Sequence, residues 1–279
     1  ADKSLVFTAK NPLRMARPSE TIELLWADLV QRVPTLSPFN LLLTDLNTGQ
    51  AVVTQIIDMN QDGLPESLIF QTSFRLDDPL KTFRLENTEA KTNQPPAAVY
   101  GRFVPERKDD FAWENDRIAF RIYGPALESE MVSSGIDVWL KKVRYPVIDK
   151  WYAAGEASYH KDSGEGLDLY TVGPSRGCGG SGLWDGRALQ VSGNFRSWRV
   201  LARGPVRFSF ELTYAPWNVN GRSVSEIKRI SLDAGQNFNR IESLFQAEGT
   251  QEVTFGAGIA IHEAWPGEFS SNKERGWLS

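Results

Sequence analysis

Apolar residues in this 279-residue chain recur with period two in short runs that stop at Gly, Pro, Asn or Asp, and no strong amphipathic helix longer than about ten residues can be drawn through it. Ser4-Leu5-Val6-Phe7-Thr8, Glu20 to Leu24, Leu41-Leu42-Leu43, Val52 to Ile57 and Ser67 to Gln71 read as strands in the first third. Val99 to Phe103, Arg117 to Tyr123 and Asp137 to Leu140 follow, then Val147 to Tyr152, a segment rich in aromatics. Phe195 to Leu201, Val206 to Tyr214, Val224 to Leu232, Phe238 to Phe245 and Val253 to Ile261 complete the set. Gly204-Pro205, Asn220-Gly221 and Ala234-Gly235 punctuate them as hairpin turns do. Only Asp28 to Val33 reads as a helical turn, and Gly164 to Gly186 is the longest stretch without a pattern. The expectation is an all-β fold, an antiparallel β-sandwich, with residues 1–279 as a single domain.

Charge and cysteine usage narrow the function classes. Lys and Arg total 31 against 35 Asp and Glu, a net charge of -4, so there is no basic excess to neutralise phosphates and no nucleic-acid partner is expected. No run of eighteen apolar residues exists, so no membrane span is expected. A single cysteine, Cys178, excludes an internal disulfide and a cysteine-rich zinc site. A start at Ala1-Asp2-Lys3 without Met fits a mature chain after signal-peptide removal and fits a trimmed chain equally. The first is taken as the expectation, which places the protein in the periplasm or outside the cell. Nine tryptophans suit a protein that stacks indoles on sugar rings, although they suit a sandwich core as well.

Four segments carry candidate chemistry. Asp58 to Glu66 has oxygen-bearing residues at alternating positions and Gly63 at the sixth, as a calcium loop begins. Ile69 stands where the closing Glu belongs, and a polar hairpin turn is the competing reading. No metal or other cofactor is assigned. Pro105 to Arg117 is the densest mixture of charge and aromatics. Arg107, Trp113 and Glu114 are its candidates for holding sugar hydroxyls and a uronate carboxylate, against the alternative of an internal network that shapes a loop. Tyr159 to Tyr170 brings His160, Lys161, Glu165 and Tyr170 together, and a histidine beside a carboxylate and a lysine suits proton transfer.

Val172 to Gly186 is glycine-rich but lacks the Gly-Lys-Ser/Thr ending of a phosphate loop. Room for a glycan suits it better, with Arg176 on a carboxylate and Trp184 as a stacking face; Cys178 has no assigned base that would make it a nucleophile. His262 closes the run Gly258 to Glu263 and is expected to face a cleft opposite His160, or else to be a half-buried imidazole.

These segments together resemble one family. Pro105-Glu106-Arg107, Asp109 to Arg117, Phe120-Arg121, Tyr123 to Leu127, Gly135 to Trp139, Tyr159 to Asp162, Gly164-Glu165-Gly166 and Gly173 to Gly180 are similar to the signatures of a bacterial domain-of-unknown-function family encoded in pectin and ulvan utilisation loci. The resemblance covers most of the chain. It implies an exported carbohydrate-active protein with a galactose-mutarotase-like β-sandwich. Some members are dehydratases of oligosaccharides that end in an unsaturated uronate. It also implies that similar proteins continue beyond Ser279, with further C-terminal strands to complete the site.

The leading expectation is therefore a carbon–oxygen lyase that eliminates water from a uronate-containing oligosaccharide of ulvan or pectin. His160 and His262 transfer protons, Glu165 orients an imidazole or a sugar hydroxyl, and Arg107 and Arg176 hold the carboxylate. Trp113, Tyr170 and Trp184 offer stacking faces, and Glu114 and Lys161 join the substrate-binding set. An aldose epimerase or mutarotase, and a non-catalytic glycan-binding protein, are the alternatives.

Overall fold

Period-two alternation sorts the first ninety residues into two facing sheets. The computed structural model describes residues 3–90, 96–130, 133–250, 252–261 and 270–278. The N-terminal strands are β1 (Ser4–Lys10), β2 (Arg17–Leu25), β3 (Leu41–Asp45), β4 (Gln50–Val52), β5 (Thr54–Ile57), β6 (Ser67–Phe74) and β7 (Leu80–Asn87). They form an antiparallel sheet in the order β1-β7-β3-β4 and another in the order β2-β6-β5. Phe70 and Phe83 meet edge-on at 4.9 Å between the sheets, and Phe7 stacks on Phe83 at 5.6 Å. The expected helical turn is α1 (Trp26–Arg32), which adds Leu29 to this core.

A second, larger sandwich follows. Its first sheet comprises β8 (Val99–Val104), β9 (Asp110–Asn115), β10 (Ile118–Ile122), β11 (Ile136–Lys141) and β12 (Gly166–Leu167), ordered β12-β11-β10-β9-β8. Two short helices, α2 (Ile148–Ala153) and α3 (Glu156–Tyr159), lie between β11 and β12 in the chain. A three-stranded sheet runs β14-β13-β20, from β13 (Cys178–Trp184), β14 (Leu189–Gln190) and β20 (Phe255–Ile259). Strands β15 (Phe195–Arg203), β16 (Arg207–Tyr214), β17 (Trp217–Val219), β18 (Arg222–Asp233) and β19 (Asn239–Ala247) form a sheet in which β18 pairs with β16, β17 and β19. A small hairpin, β21 (Ser271–Asn272) with β22 (Trp277–Leu278), ends the described chain.

Alternation along β9 and β10 sends Phe111, Trp113, Phe120 and Ile122 toward Phe208, Phe210 and Leu212 of β16. Phe111 and Phe210 stack there at 4.2 Å. The opposite face of β9–β11 carries Ala112, Ala119 and Trp139 and is covered by Val147, Ile148, Trp151 and Tyr159. Gln55 ties the two sandwiches: its Oε1 accepts the N–H groups of Val206 and Arg207, and its Nε2 donates to the Arg207 carbonyl. Ile57 and Ile69 pack on Ala202 and Val206 at the same junction.

Two segments depart from the expected pattern. Val147 to Tyr152, one more short apolar run in the sequence, lies largely in α2, whose Ile148 and Trp151 are buried against the first sheet of the second sandwich. The stretch from Gly164 to Gly186 contains β12 and β13. Its glycines mark close backbone approach within a strand: a Cβ on Gly180 would sit 2.5 Å from the Arg176 carbonyl oxygen.

Candidate functional site

The covered face of β9–β11 is where buried charge collects. Asp110 of β9, Arg121 of β10 and Asp137 of β11 alternate with apolar residues, so their side chains lie beneath the helical cover with Ala112 and Trp139. Arg121 stands directly opposite Asp137 in the β10–β11 register. Its Nη2 lies 2.6 Å from Asp137 Oδ2 and 2.7 Å from Asp168 Oδ2, and its Nε lies 4.0 Å from Asp110 Oδ2. Aromatic rings enclose the same guanidinium, whose carbon is 5.1 Å from the centroid of Tyr123, 5.2 Å from that of Trp139 and 5.8 Å from that of Tyr159.

Arg107 approaches from the turn before β9. Its Nη1 is 3.7 Å from Asp110 Oδ2, and its Nη2 donates to Glu156 at 2.8 Å. Lys108 and Asp109, between this arginine and β9, both adopt left-handed backbone angles, φ 49 and 62. Such consecutive non-glycine positions carry strain and occur where the surroundings over-determine them. Gly124 makes the turn possible, since a Cβ there would lie 1.8 Å from the Asp109 carbonyl oxygen.

Three buried carboxylates share the two guanidiniums, and their acidities move accordingly. Burial raises Asp110 to about 7 against the opposing pull of Arg121 and Arg107. Burial, then the neighbouring Asp137 charge, raises Asp168 to about 6, with Arg121 and His160 opposing. Asp137 is raised by burial too, and Arg121 pulls it back. Asp110 Oδ1 and Asp168 Oδ1 are buried without a hydrogen-bond partner among the described residues. Asp110 and Asp168 thus hold their protons to higher pH than exposed carboxyls do.

His160 forms the exposed edge of this group. Its side chain is 44% exposed, its ring packs 4.8 Å from that of buried Tyr159, and its Nδ1 lies 3.0 Å from the Asp168 carbonyl oxygen and 3.6 Å from Asp168 Oδ2. A carbonyl oxygen only accepts, so in the neutral ring Nδ1 carries the hydrogen and Nε2 presents a lone pair. Asp168 is itself anchored, its N–H donating to the Tyr159 carbonyl at 2.8 Å. The arrangement is an oriented imidazole backed by buried charge.

The profile of a family described as "Domain of unknown function (DUF4861)" matches residues 9–279. The chain belongs to the DUF4861 family. A relative from Formosa agariphila, described as "Uncharacterized protein P7", is 39% identical over 287 residues, spanning 98% of this chain and 71% of its own length.

Within this DUF4861 chain the sequence-derived candidates separate into different environments. His160 and Arg107 meet around Tyr159, with Lys161 exposed one residue further on. Three others need correction. Trp113 is sealed in the core against Phe120 and Phe210 with its indole N–H on Asn239, so it offers no stacking face. Glu114 is buried, paired with Lys141 and accepting the Val147 and Ile148 N–H groups, which makes it the anchor of α2. Glu165 turns toward α2, held by Lys150, Tyr145 and Trp151, and its carboxyl is lowered to about 2, first by Lys150 and then by Tyr145. Asp168 takes the orienting role expected of Glu165.

Tyr170 lies between Cys178, Asp137 and the Ala260 backbone. Burial, then Asp137, raises the Cys178 thiol, the opposite of nucleophile activation. Arg176 points instead to the face of β18, and Trp184, 47% exposed, ends β13. His262 lies outside the described residues. The Asp58 to Glu66 loop is a network of backbone contacts, with Asp58 accepting from Gly63, Asp62 from Leu64 and Glu66 from Met59.

Asp110, Arg121, Asp137 and Asp168 are absent from the candidates drawn from sequence. For the first three the signal is a charge at one alternate position in each of three apolar strands; Asp168 follows β12 in the chain.

Proposed function

We propose that this DUF4861 member is an acid/base carbohydrate-active enzyme, a carbon–oxygen lyase that removes water from an oligosaccharide ending in an unsaturated uronate, as in ulvan or pectin fragments. The observation that carries this reading is His160, with Nδ1 fixed on the Asp168 carbonyl and half of its ring at the surface. Nε2 takes the proton from the carbon being deprotonated and returns it to the departing hydroxyl. The C–H and C–O bonds break, a C=C bond forms and water leaves. Arg107, beside Tyr159, pairs with the substrate carboxylate, which gathers charge as the proton departs. An exported location suits a protein that meets such fragments.

The test is incubation of the full chain with lyase-treated ulvan and pectin fragments, followed by mass spectrometry. The expected product is lighter by one water, and His160→Ala should slow its formation by about 10²–10⁴-fold, the usual worth of a positioned acid/base. An altered anomer at unchanged mass would assign the chain to the epimerases. Unaltered oligosaccharide throughout would remove the enzymatic reading.

A further inference from the structure

A second buried charge cluster lies on another surface. Along β18, Val224, Glu226, Lys228, Ile230 and Leu232 share the inward face. Ile230 and Leu232 belong to the apolar core of the larger sandwich, whereas Glu226 and Lys228, 3% and 1% exposed, face β13 and Arg176. Lys228 sits between Leu212 of β16 and Ser243 of β19 in the sheet register.

The charges in this cluster do not balance. Lys228 Nζ is 3.6 Å from Glu226 Oε1 and 4.9 Å from the Tyr214 ring centroid. Glu226 Oε1 also accepts the Ser181 hydroxyl at 3.1 Å. Arg176 spends Nη1 on Ser134 Oγ and the Ser181 carbonyl, both at 3.2 Å, while Nη2 is buried without a partner among the described residues. The hydroxyl of Tyr214, only 2% exposed, is likewise buried and unpartnered. Two cations thus share one carboxylate, out of water, beside two unused donors. Burial lowers the Lys228 ammonium, and Arg176 adds to that effect while Glu226 opposes it.

Unpaired buried donors and uncompensated buried charge are both costly, and a single bound anion relieves both. On β13 beside the cluster, Gly180 and Gly182 are closely packed against neighbouring backbone, whereas Gly179 leaves space. A Cβ on Gly179 would find its nearest neighbour, Ile241 Cδ1, at 4.0 Å. Among the described residues, β20 pairs with β13 and with no other strand.

We infer that this end of β18 is a binding site for one oxyanion group, held by Lys228 Nζ, Arg176 Nη2 and the Tyr214 hydroxyl. The shared chemistry is that of a carboxylate or a sulfate group. The site does not depend on the acid/base role of His160, which borders a different cluster.

The test is calorimetric titration of the full chain with sodium sulfate and, separately, sodium glucuronate at fixed ionic strength. Saturable one-to-one binding of at least one probe is expected, and the tighter probe identifies the group. Lys228→Met should weaken it about tenfold or more, the usual loss for a hydrogen bond to a charged group. Tyr214→Phe, which keeps the ring and so the packing, should weaken it severalfold. His160→Ala should bind as the unaltered chain does, which separates failure of this site from failure of the lyase reading. Absence of saturable binding by both probes, or unchanged affinity in Tyr214→Phe, overturns the inference.

Discussion

The two sandwiches are built by the same alternation but tolerate different things inside. The N-terminal one closes on Phe70, Phe83, Leu43, Leu68 and Leu85, and its buried polar residues are Asn11, Gln55 and Ser67, none of them charged. The larger one buries Asp110, Arg121, Asp137 and Asp168 on one side of a sheet and Glu226 with Lys228 on the face of another. Charge removed from water is expensive unless paired and is seldom the easiest way to fill a core. The comparison therefore separates an apolar sandwich from one that holds charge out of water.

Four measurements can break or sharpen that separation. Phe83→Ala should cost about 3–5 kcal/mol in urea unfolding, equally at pH 5 and pH 8, because it opens an apolar cavity. Arg121→Met should cost about 3–5 kcal/mol at pH 8, where it strands buried carboxylates, and markedly less at pH 5, where they protonate. An equal loss at both values would show that those carboxyls do not titrate between pH 5 and pH 8.

The unaltered chain should itself lose stability as pH rises from 5 to 8. Asp110 and Asp168 are raised to about 7 and about 6 in the fold, so the folded state holds protons that the unfolded state has released. That contribution is complete below the ordinary carboxylate range and vanishes as pH passes through the folded values, at no more than about 1.4 kcal/mol per unit for each group. Asp110→Asn should flatten the slope, whereas Glu165, whose value is lowered, acts only at more acid pH. Smallest of all, Gln55→Leu should cost about 1–3 kcal/mol by stranding the Val206 and Arg207 N–H groups where the two bodies meet. A neutral result would mean that water replaces the amide.

The all-β class and most strand positions were legible because alternation and turn residues are local signals. Of the two tryptophans expected as stacking faces, Trp184 is exposed and Trp113 lies in the core. A polar neighbourhood in sequence says nothing about which face of a strand a residue takes. Arg107 and His160 could be picked out because each lies in a polar segment. Asp110, Arg121, Asp137 and Asp168 come from separate segments and meet only through pairing of β9, β10 and β11 and the return of the chain after α3. Lys228 is hidden for the same reason, as one charge in a long alternating strand.

The opposition of Arg121 and Asp137 across β10 and β11 also bears on how the chain assembles. If β10 slid by one residue, its faces would exchange, driving a guanidinium among Phe111, Phe208 and Phe210 and leaving Phe120 under the helices. Purely aliphatic neighbours would pack passably in either alignment. This pair instead makes a misaligned hairpin costly, because the slip would bury an unpaired charge.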